Sequence, residues 1–537
     1  MAELQRWQRP EGTAPREAAG VPSPPAPIAV VDMGATSIRL VVAEAAPGSP
    51  VRILEEAARG VLLGKETFTH GRIGAATAEA TLRALTGFRR IMDSYGVRQY
   101  RAVATSAVRE AANRDGFLDR IRLRTGLEVE VIDGSEENRL TYLAVREALE
   151  GHPALGGEDA LQVEVGGGSA EISFLRGGEP IRSGTYPLGA LRMRQSLASW
   201  HGSHDRRMRL LRRHIQNIVE DIGREIPLKE AVHFIALGGD VRFAASRILG
   251  EDATGDRVRT VGREPFFAFC DEVTGNDVED LVQSYRLHVA QAETLVPALL
   301  AYREILVRTP AQVVTIPEAS LRAGLLQDIV RAEEGRGIED FTRQVLASAA
   351  ALGDKYRYDA RHAQNVAALA GRLFDELKAE HGLTDRDRLL LQVAALLHDV
   401  GVFVGLRAHH KHSQYILSVS EIFGLSQDDM DVVANAARYH RRATPQRSHL
   451  PYMTLDRGRR VDVAKMAAIL RVANALDADH LQKIRNLRVL REGDLWVIEV
   501  EGAGDLTMER LASLARSDML TEVFGHRVAF REAGPGL

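Results

Sequence analysis

The sequence predicts an α/β protein of two related layered domains, followed by an all-helical domain and a small α+β unit. Three observations carry that expectation. Strand-like runs alternate with helical ones up to about residue 325, the order expected when helices cover the faces of a sheet. A strand, a Gly/Ser turn and a second apolar strand occur twice, near residues 28–43 and 161–175, an internal repeat that suggests two related domains facing each other across a cleft. Beyond about residue 330 apolar residues fall at helical spacing instead,. A chain of 537 residues also exceeds one ordinary core, since domains usually hold roughly 100–200 residues.

In chain order, residues 1–27 carry Arg6, Arg9, Arg16 and the Pro/Ala-rich VPSPPAP. They predict a disordered tail, without the uninterrupted apolar core of a signal peptide. The first domain, 28–155, opens with IAVVDMGATSIRLVVAE, a hairpin turning at Gly34–Ser37,. A helix near 76–95, the strand RAVATSAVR, a helix from Arg114 to Thr125 and the strand LEVEVID follow. The second domain, 156–325, repeats the hairpin as LQVEVGGGSAEISFL and continues through a basic helix at 205–225 to the strand VHFIALGG. HAQNVAALAGRLFDEL and RDRLLLQVAALLHDVG mark a helical domain over 326–485. Residues 486–537 then read as a hairpin, LRVLREGDLWVIEVEG, a helix over 507–517 and a last strand, HRVAFREA.

Composition narrows the function classes. The net charge of -4 provides no general basic field for nucleic acid, so a polyanion site has to be local. The single cysteine, Cys270, excludes an intramolecular disulfide and any multi-cysteine metal site, and it fits a reducing cytoplasm. No apolar run approaches the roughly 18 residues that cross a bilayer, so no membrane association is expected.

The paired turns, Gly34-Ala35-Thr36-Ser37 and Gly166-Gly167-Gly168-Ser169, suit phosphate. Small residues let successive backbone N–H groups point into one concavity, and hydroxyls add donors. An acid stands two residues before each turn, Asp32 and Glu164, and Glu171 lies on the returning strand of the second hairpin. These three carboxylates are the candidate ligands of a phosphate-bound Mg²⁺, which takes hard oxygen donors.

VVDMGATSIRLVVAE, ATSAVREAAN, VIDGSEENRLTYLAV, VEVGGGSAEISF and FIALGG occur in that order over about 28–325. In this the chain resembles the exopolyphosphatases and guanosine pentaphosphate phosphohydrolases, and the helical domain behind them resembles the long-form members. The resemblance implies two actin/sugar-kinase-like (ribonuclease H-like) domains and a Mg²⁺ or Mn²⁺ cofactor. It also implies polyphosphate or guanosine pentaphosphate as substrate, and a cytoplasmic homodimer. It makes Glu137, in Gly134-Ser135-Glu136-Glu137-Asn138-Arg139, the catalytic base. A carboxylate that orients or deprotonates water in line with the terminal phosphorus is what such hydrolysis needs, although adjacent acids also favour a helix N-terminus on electrostatic grounds. Arg109 matches the family's phosphate-contacting arginine at the end of the ATSAVR strand, and Gly238 and Gly239 stand where kinases of this fold cradle adenosine. Three positions depart from the family pattern: Glu164 replaces the usual Asp, the first turn is Gly-Ala-Thr-Ser, and Asp240 stands where a hydroxyl residue is typical.

His362, His398-Asp399 and Asp477 form the H…HD…D pattern of HD phosphohydrolases, whose four side chains converge on one divalent metal,. His409, His410, His412 and His440 are further candidates for a second metal or for phosphate contact. Arg438, Arg441, Arg442, Arg447, Arg457, Arg459 and Arg460 surround them in sequence, as a polyanion track or as a solvated basic face. Two functions follow from the sequence. One is hydrolysis at Glu137. The other is binding of polyphosphate or an alarmone by a weakened site, or nucleotide hydrolysis at the HD metal.

Overall fold

The computed structural model describes residues 26–45, 51–250, 257–334, 337–502 and 504–533. The tail expected over 1–27 lies, through residue 25, outside the described residues, and Pro27 already opens the first strand.

The first sheet comprises β1 (Pro27–Met33), β2 (Ser37–Glu44), β3 (Arg52–Gly60), β4 (Gln99–Ala104) and β5 (Val129–Val131), ordered β3-β2-β1-β4-β5. The first three strands are mutually antiparallel, and β4 and β5 run parallel to β1. β1 is apolar almost throughout because both its faces are covered. Ala29 and Val31 pack towards Leu82, Leu85 and Phe88 of the helix Ala75–Ser94, whereas Ile28 and Val30 pack towards Leu325, Leu326 and Ile329.

The second sheet comprises β6 (Ala160–Val165), β7 (Ala170–Arg176), β8 (Glu179–Tyr186), β9 (His233–Leu237), β10 (Val258–Gly262) and β11 (Val313–Pro317), ordered β10-β11-β9-β6-β7-β8. Again the leading hairpin is antiparallel and the next strand, β9, joins its first strand in parallel. The internal repeat of the sequence is thus a repeat of sheet order.

Two details differ from expectation. SAVR is not the end of a strand but a helical turn, Ser106–Arg109, because the Thr105 carbonyl accepts from the N–H groups of Val108 and Arg109, each at 3.0 Å. Arg109 therefore leaves β4 sideways. Residue 325 falls inside the helix Leu321–Glu334, whose apolar side packs on the first sheet, so that helix crosses back to the first domain.

Helices Gly337–Lys355, Ala360–Glu376, Asp385–Leu397, His409–Ser418, Gln427–Arg438 and Arg457–Ala475 form the C-terminal helical region. β12 (Ile484–Glu492), β13 (Leu495–Gly502) and β14 (Arg527–Glu532) follow, with helices Thr507–Arg516 and Asp518–Phe524 before β14. Trp496, Ile498 and Val500 are buried in the same core as Leu390 and Leu470, so sheet and helices share one apolar interior. Among the described residues no helix is long and apolar enough to cross a membrane.

Candidate active site and a second His/Asp centre

Each leading hairpin closes in the same way. The Gly34 N–H donates to the Ser37 carbonyl at 3.0 Å, and the Gly166 N–H to the Ser169 carbonyl at 2.9 Å. The first turns of the helices Leu63–His70 and Ala190–Ser199 tie back the turn carbonyls: Ala35 accepts from Gly64 N–H at 2.8 Å, and Gly166 and Gly167 accept from Ala190 and Leu191 N–H at 2.8 and 2.9 Å. Among the described residues the N–H groups of Ala35, Thr36, Gly167 and Gly168 donate to no protein acceptor, which leaves donors for an anion. The turns meet. A Cβ on Gly167 would lie 2.9 Å from the Ala35 Cβ and 3.4 Å from Thr36 Cγ2, so only glycine lets them approach.

Strand register aligns the acids. Asp32 pairs across β1 and β2 with Arg39, while Glu164 pairs across β6 and β7 with Glu171. Directly opposed residues of an antiparallel pair share a face, so Glu164 and Glu171 project together. Arg39 is the positional counterpart of Glu171, a cation in one repeat and an anion in the other. Arg322, on the helix Leu321–Glu334, donates to Asp32 at 3.2 Å, and Thr141 Oγ1 to Glu164 at 3.1 Å. Ser169 Oγ donates to Glu171 at 2.5 Å.

Glu137 lies in the first turns of the helix Gly134–Ala148, whose N-terminus is capped by Asp133 accepting from the Glu136 N–H at 3.0 Å. Its carboxylate accepts from Arg109 at 2.7 Å, and Arg109 also donates to the Ile132 carbonyl at 2.6 Å. Burial pushes the Glu137 carboxyl up to about 7; Arg109 opposes this, and Glu164 and Asp32 add to it. Glu171 is raised by burial and by Glu137, and burial also raises Asp32 and Glu164. Four mostly buried carboxyls thus share one field. That excess negative charge is the environment a hard divalent cation neutralises, so the residues fit a Mg²⁺ between the turns.

Gly238 has φ +112° and precedes the helix Gly239–Leu249. Asp240, in its first turn, is pushed up to about 6 by burial against the pull of Arg242. Arg39 and Thr141 lie inside the motif segments but carry no pattern of their own, and Arg242 and Arg322 lie outside them; what each faces is set by the tertiary fold.

Residues 41–333 match the model of the Ppx/GppA phosphatase family. The chain belongs to this family. Residues 345–522 match the model described as Ppx/GppA phosphatase, domain III, which spans both the helices and most of the terminal sheet unit. Among relatives, a guanosine-5'-triphosphate,3'-diphosphate pyrophosphatase of Vibrio parahaemolyticus is 23% identical over 488 residues, covering 88% of this chain and 91% of its own length. Exopolyphosphatase 1 of Mycobacterium leprae is 27% identical over 306 residues, covering 56% of this chain and 88% of its own. A solved exopolyphosphatase from Cytophaga hutchinsonii shares the fold at 20% identity and a TM-score of 0.53, over 57% of this chain and 98% of its own. The N-terminal half is therefore of the actin/sugar-kinase-like kind expected, with a helical region behind it.

In this Ppx/GppA member the helical region holds a second cluster. His362, His398 and Asp399 bring ligand atoms together, and Asp399, His409 and His440 form an adjoining triplet. His398, His409 and His440 direct Nδ1 at the carbonyls of Ala395, Leu406 and Ala437, at 2.7, 3.1 and 2.7 Å. A carbonyl only accepts, so Nδ1 carries the proton and Nε2 faces the cluster. His362 Nε2, His398 Nε2 and Asp399 Oδ1 are buried without a hydrogen-bond partner. Three such orphaned acceptors fit a bound divalent metal. Asp477 stands differently from the expected fourth ligand. It accepts from His362 Nδ1 at 2.8 Å and from the Gln482 N–H at 2.7 Å, and so orients His362 from behind. His410 and His412 stay outside both triplets.

Proposed function

We propose that the chain, a phosphoanhydride hydrolase by family, releases terminal orthophosphate from polyphosphate and acts on guanosine pentaphosphate by the same chemistry. The single observation that carries the reading is Glu137, buried beside Arg109 and three further carboxyls at the meeting of two N–H-lined turns. The turns Gly34–Ser37 and Gly166–Ser169 hold the terminal phosphate, Arg109 adds a guanidinium, and Gly238 and Gly239 face the distal part of the substrate. Asp32, Glu164 and Glu171 would hold Mg²⁺ or Mn²⁺, which supplies charge neutralisation on the transferring group. Glu137 orients water for in-line attack and takes its proton. Arg109 keeps the carboxylate in place until phosphate competes for its donors. The same reading takes the protein as a cytoplasmic homodimer without membrane or specific nucleic-acid partners, as the resemblance and the near-neutral net charge suggest.

Phosphate release from polyphosphate and from guanosine pentaphosphate, with Mg²⁺, tests the reading. Glu137→Gln is expected to lower kcat by about 10²–10⁴, the usual worth of a general base, while Asp399→Ala keeps measurable release. Full activity in Glu137→Gln sinks the assignment.

A second reading concerns the helical region, where the orphaned Nε2 atoms of His362 and His398 favour a metal centre of the HD kind. There His362, His398, Asp399, His409 and His440 would bind metal and hydrolyse a nucleotide phosphate. Nucleotide hydrolysis that survives Glu137→Gln and disappears in Asp399→Ala separates this activity from the first.

A further inference from the structure

The helices His409–Ser418 and Gln427–Arg438 form an antiparallel hairpin that runs from the His/Asp cluster to the helix bearing Glu137. At its open end His409 Nε2 and His440 Nε2 lie 3.2 Å apart, each within reach of Asp399 Oδ1 at 3.1 and 3.3 Å. Buried polar groups tie the hairpin along its length. Gln414 donates to Asn435 at 3.0 Å and accepts from Arg438 at 2.6 Å. Ser413 Oγ donates to the His398 carbonyl at 2.7 Å and accepts from the Gly401 N–H at 3.0 Å. A Cβ on Gly401 would lie 2.2 Å from the His409 carbonyl oxygen, so the hairpin seats on this loop without room for a side chain.

At the closed end, residues 419–426 grip the Glu137 helix. The Ile422 carbonyl accepts from Ser135 Oγ at 2.9 Å. The Gln427 N–H donates at 3.0 Å to Asp133, the same carboxylate that caps Glu136. Phe423 is fully buried among Tyr142, Leu237 and Ala319 of the α/β domains, its ring edge-on to Tyr142 at 5.6 Å between centroids. A helix of 10 residues spans about 15 Å, so one packed rod separates the two ends.

We propose that this hairpin couples the two centres: drawing His409, His440 and Asp399 onto one divalent cation stiffens the loop 419–426, which holds the first turn of the Glu137 helix in its hydrolytic position. The coupling rests on Glu137 acting as base. Ser135, Asp133 and the Gln427 N–H are positioning groups in this scheme.

Gln427 is the first residue of its helix, where proline fits and the N–H is not needed by the helix itself. Gln427→Pro therefore deletes the donor to Asp133 without breaking the helix, together with the Gln427 side-chain bonds to the Ser418 carbonyl at 3.1 Å and to Asp431 at 3.3 Å. His440→Ala opens the other end, and His409→Gln serves the same purpose should His440→Ala fail to fold. The full chain is assayed for kcat and KM with polyphosphate and Mg²⁺, and for amide hydrogen exchange over residues 133–139, after loading with Mn²⁺. Each single variant is expected to lower kcat about tenfold with KM within about twofold, a positioning effect, and to speed exchange at Ser135–Glu137. The Gln427→Pro/His440→Ala double variant is expected to be no worse than either single one, because both break one link. Additive losses, or unchanged exchange at Ser135–Glu137 in the cluster variants, overturn the coupling. Should Glu137→Gln keep full activity, the base assignment falls while the exchange measurement still decides the coupling.

Discussion

At Glu137 a carboxyl keeps a proton to about 7 because burial and neighbouring acids outweigh Arg109. Its ordinary value is 4.5, so between these two pH values the native state binds protons that the unfolded chain has released. The sign follows: this group's contribution to stability is fully present below about 4.5 and is lost as pH rises through about 7. A cation entering among the carboxyls displaces the protons. Calorimetric titration with Mg²⁺ at pH 6.5, in two buffers of different ionisation heat, is expected to show net proton release that shrinks in Glu137→Gln. Absence of release removes the shared-field picture. At this scale the acids and Arg109 were legible because each sits in a motif. Arg322 was not, being 290 positions from the Asp32 it bonds; such a pairing belongs to the tertiary fold.

Among the elements, the two leading hairpins were the most legible. Two short apolar runs joined by a small-residue turn leave few other ways to fold. The SAVR segment misled because its apolar residues continue the pattern of β4, whereas the Thr105 carbonyl starts a helical turn there. The contact between the turns makes a sharp prediction. Gly167→Ala brings a methyl to 2.9 Å from the Ala35 Cβ, and overpacking of this kind costs about 1–3 kcal/mol. Thermal unfolding is expected to move down accordingly and KM for polyphosphate to rise, with Ala35→Gly in the same chain restoring both. An unchanged KM in Gly167→Ala would mean that substrate does not pass between the turns.

For the whole molecule, the order of domains was legible and their mutual grip was not. Ser135 meets Ile422 across 287 positions, and neither residue carries a pattern that points to the other. The helix Leu321–Glu334 likewise hid its allegiance, since an apolar stripe does not say which sheet it will cover. The terminal sheet unit shares its core with the helices, which explains why one family model spans both.

Asp399 belongs to both histidine groups at once, and a shared ligand changes how ions are counted. A first ion would take up negative charge that a second would otherwise use, so the two sites would bind unequally even though their histidines are alike. With metal at both triplets, occupancy would be graded: one ion at low concentration, two only when the metal is abundant. A Mn²⁺ titration of the purified chain is expected to resolve into two unequal steps that collapse together in Asp399→Asn, and a single step in the parent would show that only one triplet is ever filled. A cluster with such a response would report how much metal surrounds the protein, not merely whether any is there.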